Sequence, residues 1–370
     1  MRCRGAQIDR EGNFALRSII IFQGRCFFII TVLYILIAIL IFGLLIFIHE
    51  FGHFICARAF GVGVKEFAIG FGPKLFSWKS KKYDTRYGLR LFPIGGFVSM
   101  VGEDEASDAD NAFCNKKIWQ RMCIILAGPV MNLLLGFALM LVLVIGQGTL
   151  ASTTIARFDE GALSSEKLCV EDRIVKVGST RVHTFQDVIY EVMNQGYEPV
   201  DITVVRDGEK IVVEDVNFPV VSEQGVEFGE YDFIPYAEKP TVLSYLKHAY
   251  FRSVSTVKMV VDSFIDLIGG RYGMEAVSGP VGVTEVMVDA AKAGFFTLLY
   301  VVIVISINLG VFNLVPYLVF DGGRVLLLLI EAVRRKPLKK EVEGYINFVG
   351  MMILFVFMAF IIVKDVFGLF

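Results

Sequence analysis

The chain has no charge surplus of either sign: 36 Lys and Arg stand against 38 Asp and Glu, for a formal net charge of -2. It carries no basic stripe outside short clusters flanking apolar runs, which argues against a nucleic-acid partner. Cysteine is equally uninformative as a staple. Of six in the chain, Cys26, Cys56, Cys114 and Cys123 lie in or beside apolar runs, Cys3 lies near the start, and Cys169 stands alone in the longest polar segment. A single cysteine cannot close a disulfide there, and none of the six has the spacing of a metal site. A cleaved leader is not expected either, because the first apolar run continues to Ile48 without a small-residue cleavage site. Histidine is scarcest among the groups that carry chemistry, with four in 370 residues.

What the chain has in abundance is apolar sequence. Hydrophobic residues make up 55% of it, Phe alone contributes 33, and the mean hydropathy is +0.61. That exceeds what a water-soluble surface tolerates. Phe27–Ile48, Cys123–Ile145, Phe295–Leu314 and Ile346–Val363 are each near the roughly 20 residues that a helix needs to cross hydrocarbon. One acidic polar segment, about 151–239, separates the second from the third and is large enough for a small domain. Lys and Arg gather after the first run, from Arg58 to Arg121, and again from Arg334 to Lys340. The positive-inside bias puts those two connections in the cytoplasm and the acidic domain outside. Arg2, Arg4, Arg10 and Arg17 oppose that bias: either the functional start lies later, or the downstream charges override the first helix.

At the inner end of the first run stands Ile48-His49-Glu50-Phe51-Gly52-His53. On a helix His49 and His53 share one face and can close on one zinc ion at about 2.0–2.1 Å. Glu50 then stands beside the metal as a general base for water. H-E-x-x-H arises by chance in soluble proteins, but an ionisable residue deep in a membrane helix costs about 2.5–3.5 kcal/mol and marks a site. His183 and His248 read as ordinary surface or core residues. A catalytic zinc site wants a third protein ligand. Asp321, after Asn313 and Pro316 at the inner end of the third run and followed by Gly322-Gly323, is the best candidate at the same depth. On local sequence alone it also reads as a helix N-cap. The proline and glycines predict broken helix, which at membrane depth lines a polar cavity or is buried in protein. Asn313 is placed to donate to a substrate backbone or oxyanion.

Two further regions are readable. Val64–Ser77 and Tyr83–Met100 are aromatic-rich stretches joined by the polar Lys79–Lys82 turn, which predicts a β-hairpin or small sheet whose apolar load dips into the membrane. In the exported segment, helical spacing over Phe185–Asn194 precedes strands around Val200–Arg206 and Lys210–Val216, with an Asp207-Gly208 hairpin turn. This resembles a single circularly permuted bacterial PDZ domain, departing from that family at Glu171, where a Gly usually precedes the Asp. Such a domain binds an extended peptide by strand addition, or serves as a size filter. Val242–Ile268 predicts an amphipathic helix at the outer leaflet.

Taken in order, His49-Glu50-Phe51-Gly52-His53, Gly70-Phe71-Gly72, Pro93-Ile94-Gly95-Gly96-Phe97-Val98, Ala127-Gly128-Pro129 with Asn132, Ser278-Gly279-Pro280-Val281-Gly282 and the Asn313–Gly323 run resemble the site-2 protease family of intramembrane zinc metalloproteases (peptidase M50-like). The likeness is to its bacterial branch, the regulator-of-sigma-E proteases. Leu318 departs from it, where family members often have a second proline. The resemblance implies Zn2+ on His49, His53 and Asp321, Glu50 as base, and Asn313 assisting catalysis. Substrate contacts are implied at Gly70, Phe71, Gly72, Gly95, Gly96, Asn132, Asn313 and Pro316. It implies regulated cleavage of single-span membrane substrates, anti-sigma factors or signal-peptide remnants, by a multi-pass bacterial inner-membrane enzyme with its site toward the cytoplasm. A catalytically idle zinc-binding scaffold that presents its PDZ domain is the rival, and the intact Glu50 argues against it.

The fold class expected is a polytopic α-helical membrane protein with a membrane-associated β-hairpin or sheet and one small α+β PDZ domain. Along the chain this gives a leader over 1–26, a first membrane helix over 27–58, a re-entrant β region over 64–100 and a second helix over 119–147. A periplasmic PDZ domain over 151–222, an interfacial helix over 240–270, a third membrane helix over 293–323 and a fourth over 345–367 follow.

Overall fold

The computed structural model describes residues 5–367 apart from 82–83, 104, 106, 224–225, 272, 274–276 and 337–339, and of residues 5–31, 71, 93–94, 223, 280–281 and 340 the backbone alone. Cys3, Arg2 and Arg4, the side chain of Phe71, and Lys82 and Tyr83 at the hairpin turn therefore lie outside what is described.

Among the described residues four helices are long and apolar enough to cross a membrane: Val32–Ala59 within α1 (Gly5–Ala59), α2 (Ile118–Gln147), α6 (Phe295–Leu314), and Glu341–Phe367 within α8 (Lys340–Phe367). These are the four expected from composition, with the first extended past the H-E-x-x-H motif. The spans are uniform in polarity, so what fixes their packing is shape. Gly52 of α1 faces α2 so closely that a Cβ there would stand 2.4 Å from the Ala127 carbonyl oxygen. Helix α2 is the central post, in contact with α1 on one side and α6 on the other. Gly136 lets the Ile307 side chain of α6 approach to within 2.7 Å of where a Cβ would be, and Met140, Leu143, Ile303 and Ile307 are closed off between the helices.

Between α1 and α2 the chain forms β1 (Val64–Lys79) and β2 (Arg86–Met100), the small sheet expected here. Both strands bend. Glu66 to Ile69 pair with Gly96–Ser99 on one side and with Arg86–Leu89 on the other, while Lys74–Lys79 run beside Arg86–Arg90. The bend of β1 falls at Gly70 and Gly72, both at φ +86. A Cβ at Gly70 would stand 2.4 Å from the Phe92 carbonyl oxygen, and one at Gly72 would strike the Phe92 ring at 2.7 Å. Leu75, Phe76, Trp78, Leu91 and Phe92 remain exposed on this sheet.

After α2 comes a sheet of order β10-β3-β4-β6-β7, with β5 (Thr180–Arg181) paired to β4. Its strands are β3 (Leu150–Phe158), β4 (Arg173–Val177), β6 (Val200–Arg206), β7 (Glu209–Val216) and β10 (Phe233–Glu238). The predicted hairpin is present, with Asp207 at φ 52 and Gly208 at φ 86 in its turn. Helix α3 (Phe185–Gln195), close to its predicted bounds, lays Val188 and Val192 on Ile155, Ile174, Ile202 and Val204 to make a dry core. A separate hairpin, β8 (Val220–Glu223) and β9 (Val226–Gly229), sits against α3. The closing strand β10 lies beyond residue 222, where the sequence pattern ends this domain.

Helix α4 (Val242–Gly269) matches the amphipathic segment. It lies along α2 and α6, with Val260 buried beside Ile303 and Ile307 and Phe264 ring-to-ring with Phe312 at 5.5 Å. Its polar residues meet α3: Tyr190 donates to Asp262 at 2.8 Å, and Lys258 pairs with Glu191 at 3.0 Å. The helix thereby ties the sheet domain to the spans. Helix α5 (Pro280–Ala293) and α7 (Asp321–Arg334) complete the chain.

Candidate metal centre

Three side chains from two distant parts of the chain converge. His49 and His53 are one turn apart on α1, and Asp321 opens α7. The Nε2 atoms of the two histidines are 3.2 Å apart, and Asp321 Oδ2 stands 3.0 Å from the first and 3.3 Å from the second. Donors bound to one tetrahedral zinc at about 2.0–2.1 Å lie about 3.3 Å from one another, so the triangle has the right size. The chemistry fits as well. His49 and His53 are 7% and 9% exposed, and Asp321 Oδ2 is buried without a hydrogen bond of its own. Three lone-pair donors pressed together out of water repel each other unless a cation sits among them.

Each ligand candidate is held from behind. The Nδ1–H of His53 donates to the Ile124 carbonyl of α2 at 2.8 Å, which leaves its Nε2 as the lone-pair nitrogen. Gly128 of α2 lies against the Nε2 edges of both rings: a Cβ there would stand 2.3 Å from His53 Nε2 and 2.8 Å from His49 Nε2. The amide of Asn132 lies 3.3 Å from His49 Nδ1. Asp321 is fixed by its loop. After α6 the chain leaves helix geometry at Val315, as Pro316 predicts, and turns into α7, whose N-cap is Phe320, so that Asp321 is its first helical residue. A Cβ added to Gly322 would stand 2.3 Å from the Leu314 carbonyl oxygen and one added to Gly323 2.2 Å from that of Tyr317, so neither position admits a larger residue. At Leu318, where the family pattern often has proline, the loop is pinned instead by the Tyr317 hydroxyl donating to the Gly350 carbonyl at 2.8 Å and by Leu318 packing on Gly350.

Sequence reasoning missed the ties that steer α7. Arg121 of α2 makes a two-pronged pair with Glu331, and Arg324 pairs with Glu103. The partners are 210 and 221 residues apart, and as isolated charges near span ends they carry only a topology signal.

Glu50 faces the small sheet. A Cβ added to Gly96 would lie 3.4 Å from Glu50 Cγ and 3.0 Å from the Ala68 carbonyl oxygen. Gly95 and Gly96 thus bring β2 against the general-base candidate. Asn313 donates its Nδ2 to the Leu309 carbonyl of its own helix at 2.9 Å, so its side chain is turned back on α6. Pro316 is exposed, Asn132 is fully enclosed, and Gly70 and Gly72 shape the bend of β1.

A zinc-sized triad of His, His and Asp on apolar helices, with a Glu one residue from the first His, defines a membrane-embedded zinc metalloprotease of the site-2 type. The comparisons agree. The model of peptidase family M50 matches residues 37–357, and the chain belongs to that family. A Clostridium acetobutylicum protein provisionally named a zinc metalloprotease is 36% identical over 299 residues, covering 80% of this chain and 86% of its own length. The regulator of sigma-W protease RasP of Bacillus subtilis is 28% identical over 381 residues, with 80% and 90% covered. Zinc is accordingly its metal.

Proposed function

We propose that this protein is an intramembrane endopeptidase that cuts single-span membrane substrates, with zinc on His49, His53 and Asp321 and with Glu50 as its base. The observation that carries this is the donor triangle with Glu50 beside it. Bound zinc supplies a Lewis acid that acidifies water and polarises a peptide carbonyl. Glu50 takes the proton from the attacking water and returns it to the leaving amine. Asn313, once released from the Leu309 carbonyl, is assigned to donate to the substrate backbone.

A substrate helix hides its carbonyls in its own hydrogen bonds, so it has to be unwound. The edge of β2 at Gly95–Val98 supports strand addition next to Glu50, with Gly95 and Gly96 admitting the substrate backbone where a side chain would block it. Gly70, Phe71 and Gly72 contribute to this by bending β1, and Pro316 keeps the chain out of helix geometry between α6 and Asp321. The loop cations support a cytoplasmic active site and an exported sheet domain. That domain, with α3 laid over a sheet closed by β10, supports the PDZ reading and a role as filter or peptide binder outside. The Bacillus relative's name refers to control of sigma-W, which supports an anti-sigma factor as substrate class; signal-peptide remnants share the same single-span chemistry.

The test is cleavage of a detergent-solubilised single-span peptide by wild type, Glu50→Gln and Asp321→Ala proteins, with bound zinc quantified in each. Wild type is expected to cut, Glu50→Gln to keep zinc without cutting, and Asp321→Ala to lose both. Cutting by Glu50→Gln at the wild-type rate would overturn the assignment and leave the scaffold reading.

A further inference from the structure

The family resemblance assigns Asn132 to substrate, whereas the structure encloses this residue completely, at 0% exposure. A substrate backbone has no path to such a side chain. Its surroundings are the metal centre's own. Ile124, Gly128 and Asn132 recur every four residues and so share one face of α2, and each meets a histidine: the Ile124 carbonyl takes His53 Nδ1–H, Gly128 abuts both rings, and the Asn132 amide meets His49 Nδ1 at 3.3 Å.

The amide has two ends that a half-turn interchanges. With Nδ2 toward the ring, His49 Nδ1 has to accept, its proton moves to Nε2, and that nitrogen can no longer offer a lone pair to a metal. In this orientation Asn132 Oδ1 is buried with no hydrogen-bond partner. The turned amide removes the first fault, since Oδ1 then accepts from Nδ1–H and Nε2 of His49 points its lone pair at the triangle. The backbone that carries it is tied as well: the hydroxyl of Ser306, itself 0% exposed, donates to the Asn132 backbone carbonyl at 2.9 Å. Helix α6, which leads to Asp321, is thereby tied to the residue behind His49.

We infer that Asn132 is a positioning residue that sets the tautomer of His49 by accepting its Nδ1–H through Oδ1, making the Ile124–Gly128–Asn132 face of α2 the outer support of the zinc site. This rests on the zinc assignment proposed above. Outer partners of metal-bound histidines are worth about 10–100-fold in metal affinity.

Zinc affinity, measured by chelator competition on the full chain in detergent, separates the possibilities. Asn132→Asp can only accept from Nδ1–H, so it is expected to hold zinc at least as tightly as wild type. Asn132→Leu, of similar bulk and without an acceptor, is expected to bind zinc about 10–100-fold more weakly and, once saturated with zinc, to keep the wild-type KM for the peptide. Loss of zinc by Asn132→Asp would overturn the inference, because it would mean that the amide donates; this variant decides the matter even if the leucine protein fails to fold. Wild-type zinc affinity with a raised KM in Asn132→Leu would overturn it in favour of substrate contact. His49→Ala is the reference: if it binds zinc like wild type, the site assignment itself falls, whereas its loss of zinc beside an unaffected Asn132→Leu sinks only the inference about Asn132.

Discussion

The sheet domain and the metal centre are held together by opposite kinds of residue. Between β3 and β10 the interior is Ile155, Ile174, Val188, Val192, Ile202 and Val204, each at most 1% exposed and drawn from alternating or helical positions. Around His49 and His53 the contacts that set the geometry are one glycine, Gly128, the Asn132 amide, the Ile124 and Asn132 carbonyls and the Ser306 hydroxyl. The difference follows from the solvent. In water a sequence marks its interior with apolar residues against a polar exterior. In lipid the exterior is as apolar as the core, so close approach and polar contacts distinguish the inside.

Gly128→Ala is the largest expected disturbance of that contrast. The new methyl would stand 2.3 Å from His53 Nε2 and 2.8 Å from His49 Nε2, so at least one ring has to leave the triangle. Zinc content is expected to fall to background and peptide cleavage by on the order of a hundredfold or more, while the sheet domain's resistance to proteolysis is unchanged. A zinc-replete, active Gly128→Ala protein would show that α2 is not the wall against which the histidines rest. The mirror experiment is Ile202→Ala. Removing this fully buried side chain is expected to cost the sheet domain about 2–5 kcal/mol, seen as early unfolding or proteolysis, with zinc content intact. Parallel loss of zinc would mean that the two regions unfold as one unit through α4.

The same contrast explains which parts of the fold and site are legible in the sequence. His49, Glu50 and His53 stand out because ionisable groups in an apolar run have few other reasons to be there, and Asp321 stands out because a proline and two glycines break a membrane helix beside it. The strands β6 and β7 and helix α3 are readable from period and turn chemistry. Asn132 is visible as a polar residue in a span, but its neighbours are not, so the sequence alone points it outward. Ser306 leaves no trace, since a lone hydroxyl in a helix ordinarily bonds its own backbone, whereas this one reaches across to Asn132. Strand β3 is hidden by its Ser152-Thr153-Thr154 run, and β10 by lying about 80 residues from β3, its partner in the sheet; such pairings exist only after the chain has closed. The Arg121–Glu331 tie is unreadable for the same reason.

Glu171→Gly is the smallest and most pointed change. Gly128 is a glycine that nothing larger replaces, for want of space; Glu171 is a larger residue at a position whose backbone asks for glycine. Its φ is 73, a left-handed conformation that costs a residue with a Cβ about 1–2 kcal/mol. The backbone enforces it. Glu171 N donates to Ile155 O at 2.9 Å, Asp172 O accepts from Ile155 N at 3.0 Å, and the fully buried Asp172 is gripped by Arg206 through two bonds of 2.7 Å. The Glu171 side chain itself is exposed, so little is lost by deleting it. Glycine relieves the strain but loses about 0.4–1 kcal/mol through the greater freedom of the unfolded chain. The net expectation is a gain of about 0.5–1 kcal/mol, measurable as slower hydrogen exchange at β4 amides, with zinc content and turnover unchanged. Faster exchange would mean that the glutamate contributes to the domain through its side chain, and that this corner is held by more than the Asp172–Arg206 pair.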